Sequence, residues 1–197
     1  MPVSNFFRKG IRPAFAVFLT CLMAGILPFP SGSQAGGPAV RPFSTWSGSA
    51  RPSDVESIDG LILALYESIS FPEGKTPDWD RFRELFFSAT SPCVRLAFDG
   101  VLVMDRESFI GFFNERIKKG TMKSFAEREV ARTAEIYGGL AQVFSTYEKR
   151  LNLADPGKEA RGINGVQLFF KDGRWWIASL VWQDKFAGLP IPPKYLK

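Results

Sequence analysis

From Val55 onward the apolar positions recur every three to four residues, and past Gly120 they recur at nearly every second residue. The first period belongs to helices packed on one side and the second to strands with one face buried. Val55, Ile58, Ile62, Leu65 and Ile69 predict an amphipathic helix opening at Ser53, where Ser53 and Glu56 have the spacing of a capping box. Tyr66 stands beside its apolar stripe. Pro72 and Pro77 break the chain, and Trp79, Phe82 and Phe86 predict a shorter second helix. A third begins with Asp105 as its N-cap, carries Phe109, Phe113 and Ile117, and closes on Lys118, Lys119 and Gly120. Between the second and third helices, Cys93 to Met104 predicts a short hairpin turning at Asp99 and Gly100.

Four long strands are expected at roughly 126–137, 140–150, 162–171 and 174–185. Gly138-Gly139 and Asp172-Gly173 supply tight turns at two junctions, and Asn152 to Gly162 supplies a polar loop at the third. Three helices followed by such a meander make an α+β domain in which a strongly curved antiparallel sheet buries one face against the helices. Residues 53–186 form that domain. Residues 187–197 are a proline-rich tail that cannot extend a central strand and lies along the surface.

The N-terminus follows a different pattern. Arg8, Lys9 and Arg12 precede an apolar run from Pro13 to Phe29, and Ser33-Gln34-Ala35 offers the small residues of a peptidase site. That order predicts a signal peptide over 1–35, cleavage after Ala35, and a secreted or periplasmic protein with no stable membrane span once the leader is removed. The apolar run is short of the ~20 residues of a spanning helix. Residues 36–52, rich in Gly, Pro, Ser and Arg, read as a flexible linker.

Leader removal alters the charge balance. It takes three of the 25 basic residues and none of the 20 acidic ones, lowering the net charge from +5 to +2. No basic stripe interleaved with aromatics marks a nucleic-acid surface, so no nucleic-acid partner is expected. Cys93 alone would remain, which precludes an intramolecular disulfide. The chain has no histidine, which excludes Ser-His-Asp and Cys-His nucleophile systems and histidine-bearing zinc sites. Acid-base chemistry would fall to carboxylates, tyrosine or lysine. No metal or nucleotide motif is present, and no cofactor is expected.

The element order, with Phe144-Ser-Thr-Tyr-Glu148 after Gly138-Gly-Leu-Ala141, then Arg161 to Leu168 and Arg174 to Trp182, resembles the nuclear transport factor 2-like superfamily over about residues 53–185. This superfamily of cone-shaped α+β folds includes ketosteroid isomerase, scytalone dehydratase and the SnoaL-like cyclases. The resemblance implies a pocket between sheet and first helix. It puts Tyr66 near the isomerase's oxyanion-binding tyrosine and Trp182 at a pocket-wall aromatic. The isomerase's proton-shuttling aspartate would fall around Leu96 to Phe98, and its second oxyanion donor near Val166, where nothing exchanges a proton. The dehydratase's histidines are absent. A shared fold does not carry function, and neither of these two activities is expected.

Alternation turns Val166, Leu168 and Phe170 inward. In the preceding strand Ala141, Val143 and Tyr147 share the odd face, whereas the resemblance turns Phe144, Thr146 and Glu148 inward. Either that even face lines a polar cavity or it meets solvent; the cavity is favoured. The expected pocket is bordered by Tyr66, Phe144, Thr146, Glu148, Leu168 and Trp182, and holds a small, partly apolar molecule. If Glu148 is inside, burial raises its pKa and makes it the best general base, with Tyr66 either an electrophile or a core tyrosine whose hydroxyl is satisfied. Those two residues carry the alternative, an isomerase, cyclase or hydrolase. Arg132 pairs with Glu148 across strands or binds an anion. Trp176 shares the parity of Trp182, while Trp175, Ile177 and Val181 would form an apolar outer face suited to a homodimer or a non-catalytic interaction module.

Overall fold

The computed structural model describes residues 50–155, 157 and 159–197. The expected leader and most of the linker lie outside the described residues. Ala50 is buried, its N–H donates to the Glu84 carboxylate, and a helix starts at Pro52. The helical domain therefore includes residues ahead of Ser53.

The first helical pattern is split. α1 (Pro52–Val55) is a single turn capped from Arg51, whose N–H is accepted by Asp54, and α2 (Ile58–Ile69) opens at Ser57. The Ser57 hydroxyl accepts the Gly60 N–H, so Ser57 rather than Ser53 supplies the cap. Gly60 is required where the two helices meet, because a Cβ there would stand 2.0 Å from the Ser53 carbonyl oxygen. α3 (Trp79–Leu85) is capped by Asp78. β1 (Pro92–Ala97) and β2 (Gly100–Asp105) form the expected hairpin, and Asp105 caps α4 (Arg106–Lys118) by accepting the Ser108 N–H at 2.7 Å.

The long strands are β3 (Phe125–Tyr137), β4 (Leu140–Leu151), β5 (Glu159–Lys171) and β6 (Arg174–Asp184). They join the hairpin in one six-stranded sheet of order β2-β1-β6-β5-β4-β3, antiparallel throughout except for the β1–β6 pair. The β5–β6 turn works because Asp172 and Gly173 both adopt positive φ, 54° and 80°, which glycine and aspartate tolerate. Helices followed by a mostly antiparallel sheet confirm the α+β expectation.

The core lies between the helices and one sheet face. Leu61, Ile62 and Leu65 of α2, Phe82 and Leu85 of α3, and Phe109 of α4 meet Val143, Val166, Leu168 and Ile177 of the sheet. Each such side chain contributes roughly 1.5–3 kcal/mol by leaving water. Cys93 belongs to this layer; burial pushes its thiol up to about 12, which suits an inert packing residue. Among the described residues no helix is long and apolar enough to cross a membrane.

Two expectations about strand faces are overturned. In β4, Ala141, Val143, Ser145 and Tyr147 are at most 1% exposed, so the odd residues face the helices and the even face turns outward. In β6, Gln167 opposes Ser179 while Leu168 opposes Ile177, leaving Ala178 as an extra residue. This bulge reverses the parity of the strand's first half. Ile177 is consequently fully buried and Trp175 packs on the core, while Trp176 lies against Phe87 away from Trp182. The expected outer apolar face loses Trp175 and Ile177.

Candidate functional site

One half of the inner sheet face is apolar and the other carries charge. Along the register, Val143, Val166, Leu180 and Cys93 form one cross-strand row, followed by Ser145, Asn164, Trp182 and Arg95. The next row holds Glu129, Tyr147, Gly162 and Asp184, and the last holds Glu127, Lys149 and Ala160. Gly162 is needed because Tyr147 lies across it: a Cβ would meet the phenol oxygen at 2.2 Å and the Gln183 carbonyl at 2.3 Å.

Over these polar rows the helices leave a cavity of about 370 Å³. Leu65, Tyr66 and Ile69 of α2, Phe82 of α3, and Phe109, Phe112, Phe113 and Arg116 of α4 wall it on one side. Arg95, Glu127, Lys149, Asn164 and Trp182 approach from the sheet. At about 30 Å³ per non-hydrogen atom, the packing share of a water, the space suits on the order of a dozen atoms.

The polar groups form two connected sets. Asn164 Nδ2 donates to the Tyr66 hydroxyl at 3.1 Å and to Glu127 Oε1 at 3.2 Å. Ser145 Oγ donates to Glu129 Oε1 at 2.6 Å. A carboxylate only accepts, so the 2.6 Å contact between Tyr66 and Ser145 has the phenol as donor. The Tyr66 proton is therefore committed to the wall, and the hydroxyl is not the free electrophile considered from sequence. Burial raises the Tyr66 pKa, with the Glu127 charge adding to it. In the second set the Tyr147 hydroxyl donates to Asp184 Oδ1 at 2.6 Å, Lys149 pairs with the same oxygen, and Arg95 Nη2 stands 3.5 Å from Oδ2. Burial acts to raise the Asp184 pKa, but the charge and hydrogen bond of Lys149, the Tyr147 bond and Arg95 together hold it below the usual range.

Glu127 has the least support. Burial pushes its carboxyl up to about 7; the Lys149 charge and the Asn164 hydrogen bond oppose the shift, and Asp184 adds to it. A carboxyl titrating there exchanges protons near neutrality.

Of the residues singled out from sequence, the structure brings Tyr66 and Trp182 to this cavity. Phe144, Thr146, Glu148 and Leu168 do not line it. Leu168 is core, and Phe144 is stacked on Tyr195 at 5.5 Å. Thr146 donates to the Tyr195 carbonyl, so the proline-rich tail lies over the outer face of β4. Glu148 is held outside the cavity by Arg161, at 2.8 Å, and Arg128, at 3.2 Å, and these bonds keep its carboxyl below the ordinary range. It is therefore neither buried nor a raised-pKa base. Arg132 pairs with Asp59 and Glu129 rather than Glu148.

Sequence reasoning passed over Glu127, Lys149, Asn164, Arg95, Arg116 and Asp184. For three of them the signal was parity: Lys149 shares the odd face of β4 with Val143, Asn164 the even face of β5 with Val166, and Glu127 the face of Phe125. Among the described residues no cluster of His, Cys, Asp or Glu could hold a metal ion.

No family model matches the sequence, and no curated protein matches it either. The structure is similar to solved bacterial structures. A protein of unknown function with a cystatin-like fold from Nostoc punctiforme is 14% identical, with a TM-score of 0.49 over 66% of this chain and 90% of that one. A nuclear transport factor 2-like protein of unknown function from Methylobacillus flagellatus is 16% identical, with a TM-score of 0.42 over 66% and 95%. The beta subunit of benzoate 1,2-dioxygenase from Burkholderia mallei is 12% identical, with a TM-score of 0.46 over 60% and 84%. The first two are described as cystatin-like and nuclear transport factor 2-like, and all three likenesses concern fold alone.

Proposed function

We propose that this chain is an exported domain that binds a small, partly apolar molecule between α2, α4 and the polar half of the inner sheet face. The observation carrying this reading is the cavity of about 370 Å³, with aromatic walls and a few converging polar groups, which is the usual composition of a small-molecule site. Export rests on the leader pattern of residues 1–35. The inner-face charges support binding as well. Strands that carry Glu127, Lys149 and Arg95 toward helices incur a desolvation cost that a packed apolar core would avoid.

Trp182 reports on the site from its wall. Aromatic compounds of about a dozen non-hydrogen atoms, titrated into the full chain, are expected to change its fluorescence along a saturable one-site curve, and Trp182→Phe removes that change. A panel with no saturable member, or a change that persists in Trp182→Phe, would contradict the proposal.

A further inference from the structure

The charges in and beside the cavity are not balanced against one another. Asp184 is answered by Lys149, by the Tyr147 hydroxyl and, more distantly, by Arg95. Arg116 has no such counterpart. It projects from the last turn of α4 into the cavity wall, its Nε is buried without a hydrogen-bond partner, and it forms no ion pair among the described residues. Its guanidinium is held instead 5.6 Å from the Phe112 ring centroid. The guanidinium fork fits a carboxylate with two parallel hydrogen bonds.

The remaining acid does not cancel this charge. Glu127 faces Lys149 from β4, Asn164 from β5, Asp184 from β6 and Tyr66 from α2, and with its carboxyl pushed up to about 7 it is only partly ionised at neutral pH. Arg95 on β1 adds a second guanidinium to the same cavity. The rest of the helix-side wall is apolar, formed by Leu65, Ile69, Phe82, Phe109 and Phe113.

We infer that the ligand is an apolar molecule with a single carboxylate, whose head sits on Arg116 with Arg95 beside it and whose body lies against the aromatic wall. This rests on the small-molecule reading above and adds the ligand's charge and polarity. Arg116 then serves as the specificity-determining residue: it selects the anion over a neutral molecule of the same shape.

Decanoate and 1-decanol, which differ chiefly in the charged head, test this by calorimetric titration of the full chain at pH 7. Decanoate is expected to bind at least tenfold more tightly than 1-decanol. Arg116→Gln is expected to weaken decanoate binding far more than 1-decanol binding and so to remove most of that difference, and Arg116→Lys to restore part of it. Equal affinity for both compounds in the unmodified chain overturns the inference and leaves the small-molecule reading standing, and it needs no variant to fold. An undiminished preference in a folded Arg116→Gln protein overturns the assignment of the head to Arg116. Binding of neither compound overturns the inference, and the aromatic panel with Trp182 then decides the broader reading separately.

Discussion

The two halves of the inner sheet face are made by the same strands, yet the helices fill one and leave the other hollow. In the filled half, Val143, Val166, Leu168 and Ile177 are at most 1% exposed and meet α2 and α3 directly. In the hollow half, the same alternation delivers Asn164, Lys149, Glu127 and Arg95 to the inside, where the side chains opposite are Tyr66, Phe112 and Arg116. Strand geometry does not distinguish the halves. The difference lies in the residues placed on it: close packing suits apolar surface, whereas buried polar groups require partners, and here these come partly from a hydrogen-bonded wall. What the protein wall leaves unanswered, chiefly Arg116 and Glu127, defines what a ligand must supply.

The comparison breaks most severely when the filled half is hollowed. Leu168→Ala is expected to lower unfolding stability by about 2–5 kcal/mol, the range for a large core residue cut to alanine, as measured by urea titration. The hollow half should respond in the opposite sense. The Glu127 pKa in the folded state, about 7, lies above its ordinary 4.5. Folding is therefore penalised once the unfolded carboxyl ionises: the penalty is absent below about pH 4.5, grows with pH and is complete above about pH 7. Glu127→Gln is thus expected to stabilise the domain by up to about 3 kcal/mol at pH 8 and to leave it unchanged at pH 4. A stabilisation independent of pH would show that the charge is not the cause.

Tyr66→Phe cuts the link from Asn164 to Ser145. It leaves the two partners with one bond fewer each and is expected to cost about 1–3 kcal/mol in the same titration. The smallest effect belongs to the outer face. Glu148→Gln should leave both the unfolding midpoint and ligand affinity unchanged, since Arg128 and Arg161 hold that carboxylate in solvent screening outside the cavity.

Much of this fold was legible because its signals are local. Strand periods broken at Gly138-Gly139 and Asp172-Gly173, and the Asp105 cap, depend on neighbours in sequence. The division between α1 and α2 was missed because Ser53 and Glu56 imitate a cap, while the deciding fact, the close approach of Gly60 to Ser53, is tertiary. The Ala178 bulge was invisible for a related reason: an alanine and a serine in a strand give no turn signal, yet one extra residue moves Trp176 away from Trp182. The site was less legible. On β4 the resemblance outweighed the apolar parity of Ala141, Val143 and Tyr147, and Glu148 was turned inward in place of Lys149. Arg116 carries no periodic signal, because a basic residue in the last turn of a helix ordinarily answers the helix dipole.

Filling the hollow half tests the central claim most directly. Ala160 lies on its floor beside Lys149, so Ala160→Trp places an indole in the space assigned to the ligand. The account predicts that the unmodified chain binds one equivalent of a cavity-sized ligand in calorimetry and that Ala160→Trp, folded to the same circular-dichroism spectrum, binds none. Undiminished binding by Ala160→Trp would contradict it.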